Sequence, residues 1–521
     1  MSGPITSVGE ALDALVHQFA DPWAFLRELV QNAIDAGAAQ IDVDLEHDPA
    51  RGALVVRVSD TGEGMNREII DTRLTRLFAS SKEGDYTKIG RFGIGFVSVF
   101  ALDPALVCVD TGRAGEHWRV LFTKDRSFER IRLDHPVEGT TVRLFLAGGP
   151  EALGPARSQA RAALERWCRH VRVELRLDGE TISAPFDLDG LCKVEHAEEG
   201  TRLVMAVVPE RAALRGYYHG GLTLHLEHDD SLPHIAFKLD SRFLEHSLTR
   251  DNVIRDEHHA KALAIVDRVA RGRLLPAVFA ALEDLSHPAR ALLARAAALA
   301  LAREPEPAWF TRPVVPRVDG PAYTLADLRE RPRGSRLYRA AAADPVSERL
   351  AAAGHRVIAC AEDDPVLELV QAATGEAPLA TTDLCTVVPL RDDEDWSALA
   401  GAVAELLRGA GFKVSAVLAG HLDYPGSTVA DRAAISQREP GEVTPVAEAA
   451  SLASGWFAGG RALVLNADDR ALGRLRRLAA REPEVAAFLA IKAFLAGADR
   501  PHEHDAGLVA RAAEARWRRT A

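Results

Sequence analysis

No two of the five cysteines in this sequence stand as a Cys-x-x-Cys pair: Cys108, Cys168, Cys192, Cys360 and Cys385 lie far apart. That spacing excludes a disulfide framework and a zinc finger, and it fits a reducing cytosol. Long apolar runs are missing as well. The longest, near 289–302, is interrupted by Arg290 and Arg295 and is too short to span a bilayer. The first residues lack the basic start and apolar run of a secretory leader, which predicts a cytoplasmic protein with no membrane partner. Positive charge is in deficit. The formal net charge of −12 argues against a general affinity for nucleic acid and leaves room only for a local basic patch. What remains is a chain of 521 residues, 47% hydrophobic and 26% charged, a composition that suits roughly three soluble domains.

Residues 22–37 organise the rest. Asp21 is placed to cap a helix that holds Pro22 in its first turn, and Gly37 to end it. Leu26, Leu29, Val30 and Ala33 recur at helical spacing as an apolar stripe. Glu28, Asn32 and Asp35 fall at i, i+4 and i+7, so three polar side chains project one way beside that stripe. A carboxylate one turn from a carboxamide suits metal–phosphate work, the amide oxygen ligating Mg2+ and the carboxylate orienting a water. Taken alone, the pattern also fits an ordinary amphipathic helix.

Ile41, Val43 and Leu45 alternate with polar residues as a half-buried strand does, and a turn at 48–52 returns the chain through a second strand, 54–58. Asp60-Thr61-Gly62-Glu63-Gly64-Met65 follows directly. A carboxylate at a strand end can accept a hydrogen bond from the exocyclic amine of adenine, where guanine presents a carbonyl, so Asp60 suits an adenine selector. Gly62 and Gly64 let backbone approach a flat base, and Met65 suits a soft apolar wall. The same residues are good β-turn chemistry. Residues 71–89 are polar, hold Ser81 and Lys82, and read as a mobile loop over a site. Gly90-Arg91-Phe92-Gly93-Ile94-Gly95-Phe96 then leads into a helix over 96–100. Glycines before a helix N-terminus expose N–H groups to an anion such as a triphosphate. The stretch is neither a Walker loop, lacking Gly-Lys-Ser/Thr, nor a Rossmann turn, lacking a strand before it.

The order Glu-x-x-x-Asn-Ala-x-Asp-Ala, Asp-x-Gly-x-Gly, Gly-x-x-Gly-x-Gly-Phe resembles the GHKL ATPase superfamily, whose ATP lies in a left-handed α/β sandwich, the Bergerat fold. Gly139-Thr140-Thr141-Val142 is similar to its closing motif, a Thr on a strand near the adenine pocket, with Thr140 preferred over Thr141. Glu28 separates the chain from histidine kinases, which lack that base. Within the superfamily Phe25-Leu26-Arg27-Glu28-Leu29, Leu248-Thr249-Arg250-Asp251-Asn252-Val253 and the segments between Tyr323 and Ile358 resemble the heat-shock-protein-90 chaperones, colinearly over about 1–375. The resemblance implies catalytic roles for Glu28 and for Arg250, which would reach the γ-phosphate. It also implies a Mg2+ ligand in Asn32 and an ATP pocket formed by Asn32, Asp35, Asp60, Gly62, Gly64, Met65, Ser81, Lys82, Gly90, Phe92, Gly93, Ile94, Gly95, Phe96 and Thr140. Protein clients and a homodimer are implied in the same way. The departures are a short loop at 73–89, Arg73 near a usual Asn, and a Ser81-Lys82 pair that also resembles mismatch-repair relatives. Two alternatives stay open: a DNA-associated GHKL ATPase, and a scaffold that senses nucleotide without turnover.

The expected fold class is α/β, an α+β sandwich, in three parts: a GHKL ATP-binding domain over 1–180, an α/β middle domain over 181–380, and a mixed α/β C-terminal domain over 381–521. Residues 181–285 mix strand and helix signals. His219, His225, His228 and His234 read as solvated side chains rather than metal ligands. Residues 425–446 read as a loop, and helices at 471–480, 484–496 and 505–518 suit dimerisation.

Overall fold

Asp21 accepts a hydrogen bond from the Trp23 backbone N–H at 2.9 Å, and Pro22–Ala24 forms a 3-10 turn that runs into helix α1, Phe25–Asp35. Gly37, at φ +75°, closes it. Its N–H reaches the Ile34 carbonyl at 2.9 Å and that of Ala38 reaches the Ala33 carbonyl at 3.0 Å, pairing acceptors that a helix end leaves open. The expected stripe is the buried one: Leu26, Leu29, Val30 and Ala33 are all 5% exposed or less.

This computed structural model describes residues 21–75, 94–124, 127–245, 252–391, 395–450, 460–496 and 504–521. The chain divides into two compact units, Met1–Leu274 and Leu275–Ala521. In the first, the strands are β1 (Gln40–Asp48), β2 (Ala53–Asp60), β3 (Leu106–Arg113), β4 (Glu116–Thr123), β5 (Phe128–Arg132), β6 (Thr140–Ala147), β7 (Glu174–Leu177) and β8 (Glu180–Thr181). They make one sheet in the order β5-β4-β3-β6-β2-β1-β7-β8, antiparallel except for β1 beside β7. Register sorts its faces. Val58, Val142 and Val109 lie side by side on the face that joins the core with α1 and helix α2, Leu153–Cys168. One residue along, the other face is polar: Asp110 pairs with Arg119 at 2.6 Å and Arg143 at 2.7 Å, and Asp44 with Arg57 at 2.9 Å. This alternation is what a sheet with one covered face requires.

Residues 181–285, expected to mix strands and helices, hold both, with five strands over 191–241 first and helices from Glu257 onward. The strands are β9 (Leu191–Glu198), β10 (Thr201–Val207), β11 (Ala213–His219), β12 (Leu222–Asp229) and β13 (Ile235–Ser241), in the order β12-β11-β13-β10-β9. Helix α3, Glu257–Val269, follows, capped by Asp256. The β11–β12 hairpin grips the first sheet's core: Leu222 is buried in it, and a Cβ on Gly221, at φ +84°, would stand 2.1 Å from the His170 carbonyl oxygen. Lys238 Nζ donates to His170 Nε2 at 2.9 Å across the same junction. Of the four histidines expected in solvent, His219 and His228 are exposed and His225 is half-buried. His234 is a correction: it is buried, with Nδ1 3.3 Å from the Val208 carbonyl oxygen.

The second unit begins with helices α4 (Leu275–Leu282) and α5 (Arg290–Arg303). A parallel sheet follows, made of β14 (Leu337–Ala340), β15 (Arg356–Ala359) and β16 (Leu379–Ala380), with helices α6 (Pro345–Ala352) and α7 (Val366–Thr374). A four-stranded sheet then joins β17 (Val388–Pro389), β18 (Val414–His421), β19 (Ala434–Gln437) and β20 (Arg461–Asn466) in the order β17-β18-β20-β19. Strand β19 corrects the loop expected over 425–446. Its Ser436 and Gln437 are polar yet fully buried, because Arg461 and the Glu442 carbonyl bond to them. Helices α8 (Ser397–Gly409), α9 (Arg470–Ala479), α10 (Pro483–Leu495) and α11 (Asp505–Thr520) share one apolar cluster around Leu407, Ile491 and Leu508. Both units combine helices with sheets, which bears out the α/β reading.

Candidate functional site

The buried face of the first sheet ends in a polar rim. Asp60 closes β2, and it is paired in register with Thr140, the first residue of β6, which is paired in turn with Thr111 of β3. Directly paired residues share a face, so these three side chains converge. The Thr111 and Thr140 hydroxyls lie 3.0 Å apart. Thr141 points the other way, and its hydroxyl donates to Ser59 at 3.2 Å.

After Asp60 the backbone folds tightly against this rim. The Gly62 N–H donates to Asp60 Oδ1 at 2.8 Å, and the Met65 N–H donates to the Thr111 hydroxyl at 2.8 Å. The Thr61 hydroxyl accepts from the Ala39 and Gln40 N–H groups, and the Glu63 N–H donates to the Ala36 carbonyl, so the loop is tied to the end of α1. A Cβ on Gly64, at φ +66°, would stand 2.1 Å from the Gly112 carbonyl oxygen, and one on Gly62 would stand 2.9 Å from the Ala36 Cβ. No other residue type fits at Gly64 without moving backbone. Burial raises the Asp60 pKa above its ordinary value, and the Gly62 and Thr140 N–H groups pull it part of the way back. Met65 is half-buried against the core.

On α1 the three polar residues separate. Glu28 is buried, 3% exposed, whereas Asn32 and Asp35 are exposed. Gly95 lies against Glu28, and a Cβ there would come within 2.7 Å of Glu28 Oε2. Residues Ile94–Val97 form a single α-turn, and a 3-10 turn continues over Ser98–Leu102 instead of an extended helix. The Phe96 ring packs on Phe122 at 5.3 Å between centroids, inside the core. On its opposite side α1 is clamped by α2. Trp23 Nε1 donates to Gln159 at 3.0 Å, and the buried Arg27 guanidinium lies over the Trp167 ring at 5.4 Å.

Asp60, Gly62, Gly64, Met65 and Thr140 therefore form one rim, while Glu28 and Gly95 meet at a second point along α1. Ser81, Lys82, Gly90, Phe92, Gly93 and Arg250 lie outside the described residues, as does the side chain of Ile94. The loop expected over 71–89 begins as helix, since Arg67–Ile69 and a π-turn over Ile70–Leu74 carry the chain to Thr75. The sequence reading missed Thr111, which holds both Met65 and Thr140. The run Leu106-Val107-Cys108-Val109 is rich in residues that favour strands and could have located β3, but nothing in its spacing marks Thr111. The donor set suits a purine nucleotide with Mg2+: a carboxylate of fixed plane at Asp60, glycines where backbone must come close, an exposed amide at Asn32, and a buried carboxylate at Glu28.

Residues 21–130 match the family model described as histidine kinase-, DNA gyrase B-, and HSP90-like ATPase. The N-terminal part of this chain is thus similar to the ATPase domains of that class, with an HSP90-like relationship. The particular relatives are chaperone proteins HtpG. That of Methylococcus capsulatus is 29% identical over 206 residues, 33% of this chain and 32% of the relative. That of Roseobacter denitrificans is 30% identical over 209 residues, 34% and 33% of the two chains. The chain spans about a third of the length of the curated relatives it matches. No helix among the described residues is long and apolar enough to cross a membrane.

Proposed function

We propose that this chain is a Mg2+-dependent ATPase that works as a nucleotide-gated, dimeric, chaperone-like clamp on protein clients in the cytoplasm. The observation that carries the reading is the Glu28 carboxylate, buried on α1 with Gly95 pressed against it. A base so placed is shielded from bulk water and held in one position, which suits orienting a single attacking water at the γ-phosphate. Asp60 accepts from the adenine amine, with Thr140 and Thr111 beside it and Met65 against the ring. Asn32 would hold Mg2+, which when bound offsets the phosphate charge. Gly90, Gly93 and Gly95 would bring N–H groups to the phosphates, and Lys82 and Arg250 would add positive charge where negative charge develops. In this reading nucleotide closes the N-terminal domains, hydrolysis releases them, and the helices beyond residue 470 join two copies. The likeness to chaperone proteins HtpG, over about a third of each chain, supports the chaperone part of the proposal.

The test is steady-state hydrolysis and ATP binding by the full chain, with Glu28→Ala beside it, in the presence of unfolded protein and separately of DNA. Glu28→Ala should abolish turnover and keep ATP affinity within a few-fold, because an orienting base acts in the transition state. Unfolded protein should change the rate. A Glu28→Ala protein that hydrolyses at the parent rate removes Glu28 from the site. Stimulation by DNA but not by unfolded protein replaces the chaperone reading with that of a DNA-associated ATPase.

A further inference from the structure

Against a chain of net charge −12, basic residues outnumber acidic ones from residue 470 onward. Helix α9 concentrates them. Arg470, Arg474 and Arg477 recur at i, i+4 and i+7 and share a face, and Arg481 stands in the turn just past the helix end. Each is exposed, and among the described residues no carboxylate pairs with any of them. Along the helix the first three stand in steps of about 6 and 4.5 Å. The opposite face, Leu472, Leu475, Leu478 and Ala479, belongs to the apolar cluster of this unit.

Helix α11 extends the strip. Glu482, the residue after Arg481, takes Arg516 at 2.8 Å and Arg519 at 3.5 Å, which brings the end of α11 beside the end of α9. Arg519 also pairs with Glu484 at 2.9 Å, and Arg518 pairs with Glu514. Among these arginines stands Trp517, 71% exposed. A single exposed indole is not in itself unusual, but this one stands beside guanidiniums. A row of unpaired arginines ending in an open aromatic ring is what binds single-stranded nucleic acid, since cations track the phosphates and the ring stacks an unpaired base. A membrane fits less well: the apolar face that a surface helix would insert is already spent on the core.

We propose that the α9–α11 face binds single-stranded nucleic acid, with Arg470, Arg474, Arg477 and Arg481 on consecutive phosphates and Trp517 under a base. This stands apart from the ATPase reading, since none of these residues lies in the nucleotide site. The test is fluorescence anisotropy of labelled 15-residue oligo-dT and oligo-rU with the full chain across a salt series. Binding should weaken linearly in log–log form with salt. Arg474→Gln/Arg477→Gln/Arg481→Gln should lose at least about tenfold in affinity at low salt and flatten the salt slope by about 2, since each single-strand phosphate contact contributes about 0.7. Trp517→Ala should weaken binding about five- to hundredfold and Trp517→Phe much less, as stacking is lost or kept. Circular dichroism and thermal unfolding should match the parent in every variant, which shows that the helices of this unit are intact. Parent-level binding by the triple variant, no binding of either oligonucleotide at low salt, or equal binding of a blunt duplex would overturn the proposal. So would capture by vesicles of anionic lipid without any binding of oligonucleotide.

Discussion

Asp60→Asn separates recognition from stability, because the structure assigns the two opposite signs. Burial raises the folded Asp60 pKa above its ordinary 3.8, and the Gly62 and Thr140 N–H groups only partly offset that. As pH rises past 3.8, the unfolded chain ionises first, so native stability falls until the folded carboxyl has ionised too. Wherever the folded carboxyl is ionised, the empty protein therefore carries a charge that its surroundings disfavour. An asparagine keeps an oxygen for the Gly62 N–H, bonded now at 2.8 Å, and carries no charge. The variant should melt at the parent temperature or above it. ATP affinity should move the other way. A hydrogen bond to a charged acceptor contributes about 1.5–3 kcal/mol, equivalent to about 10- to 150-fold in Kd. An amide that turns its NH2 toward the adenine amine sets donor against donor, which places the loss toward the upper end. Titration calorimetry with ATP and GTP, beside thermal unfolding of the same samples, reads both effects. ATP bound within twofold of the parent, or a clear fall in melting temperature, would show that Asp60 supports the fold rather than reads the base.

Gly95→Ala would put a Cβ 2.7 Å from Glu28 Oε2 and displace that carboxylate, so turnover should fall at least about tenfold while ATP binding persists; unchanged turnover would show that Glu28 needs no fixed position. At the junction of the two sheets, burial, Lys238 and Arg169 hold the His170 pKa below 6.5, and the Ala184 carbonyl opposes them. The unfolded chain takes up a proton first, so stability present above pH 6.5 is lost as pH falls toward the folded pKa. His170→Gln should remove that part of the acid-side slope of melting temperature against pH, and an identical slope in the variant would place its origin elsewhere.

Much of the candidate site was legible in the chain because its parts are local. A capped helix, a strand ending in Asp60 and a glycine-rich turn each need only near neighbours, so the periodicity of α1 and the turn at Gly37 could be read directly. Thr140 was legible only through resemblance, since nothing within β6 announces that it stands beside Asp60. Thr111 was not legible at all, because its role exists only once β3 lies beside β6.

Residue spacing alone thus determined α1, its buried stripe, the strand leading to Asp60 and the α/β class, since each follows from the turn of a helix or the alternation of a strand. The tertiary structure decided that Glu28 is buried while Asn32 and Asp35, on the same helix, are exposed, because Gly95 comes from elsewhere in the chain to cover only the first. It decided that β19 is a strand, because its polar side chains find partners from Arg461 and Glu442. It also brought the end of α11, with Trp517, beside the end of the arginine-rich α9 in a chain whose net charge is negative. Net charge is a sum over the sequence, whereas a surface field depends on which charges the fold brings together.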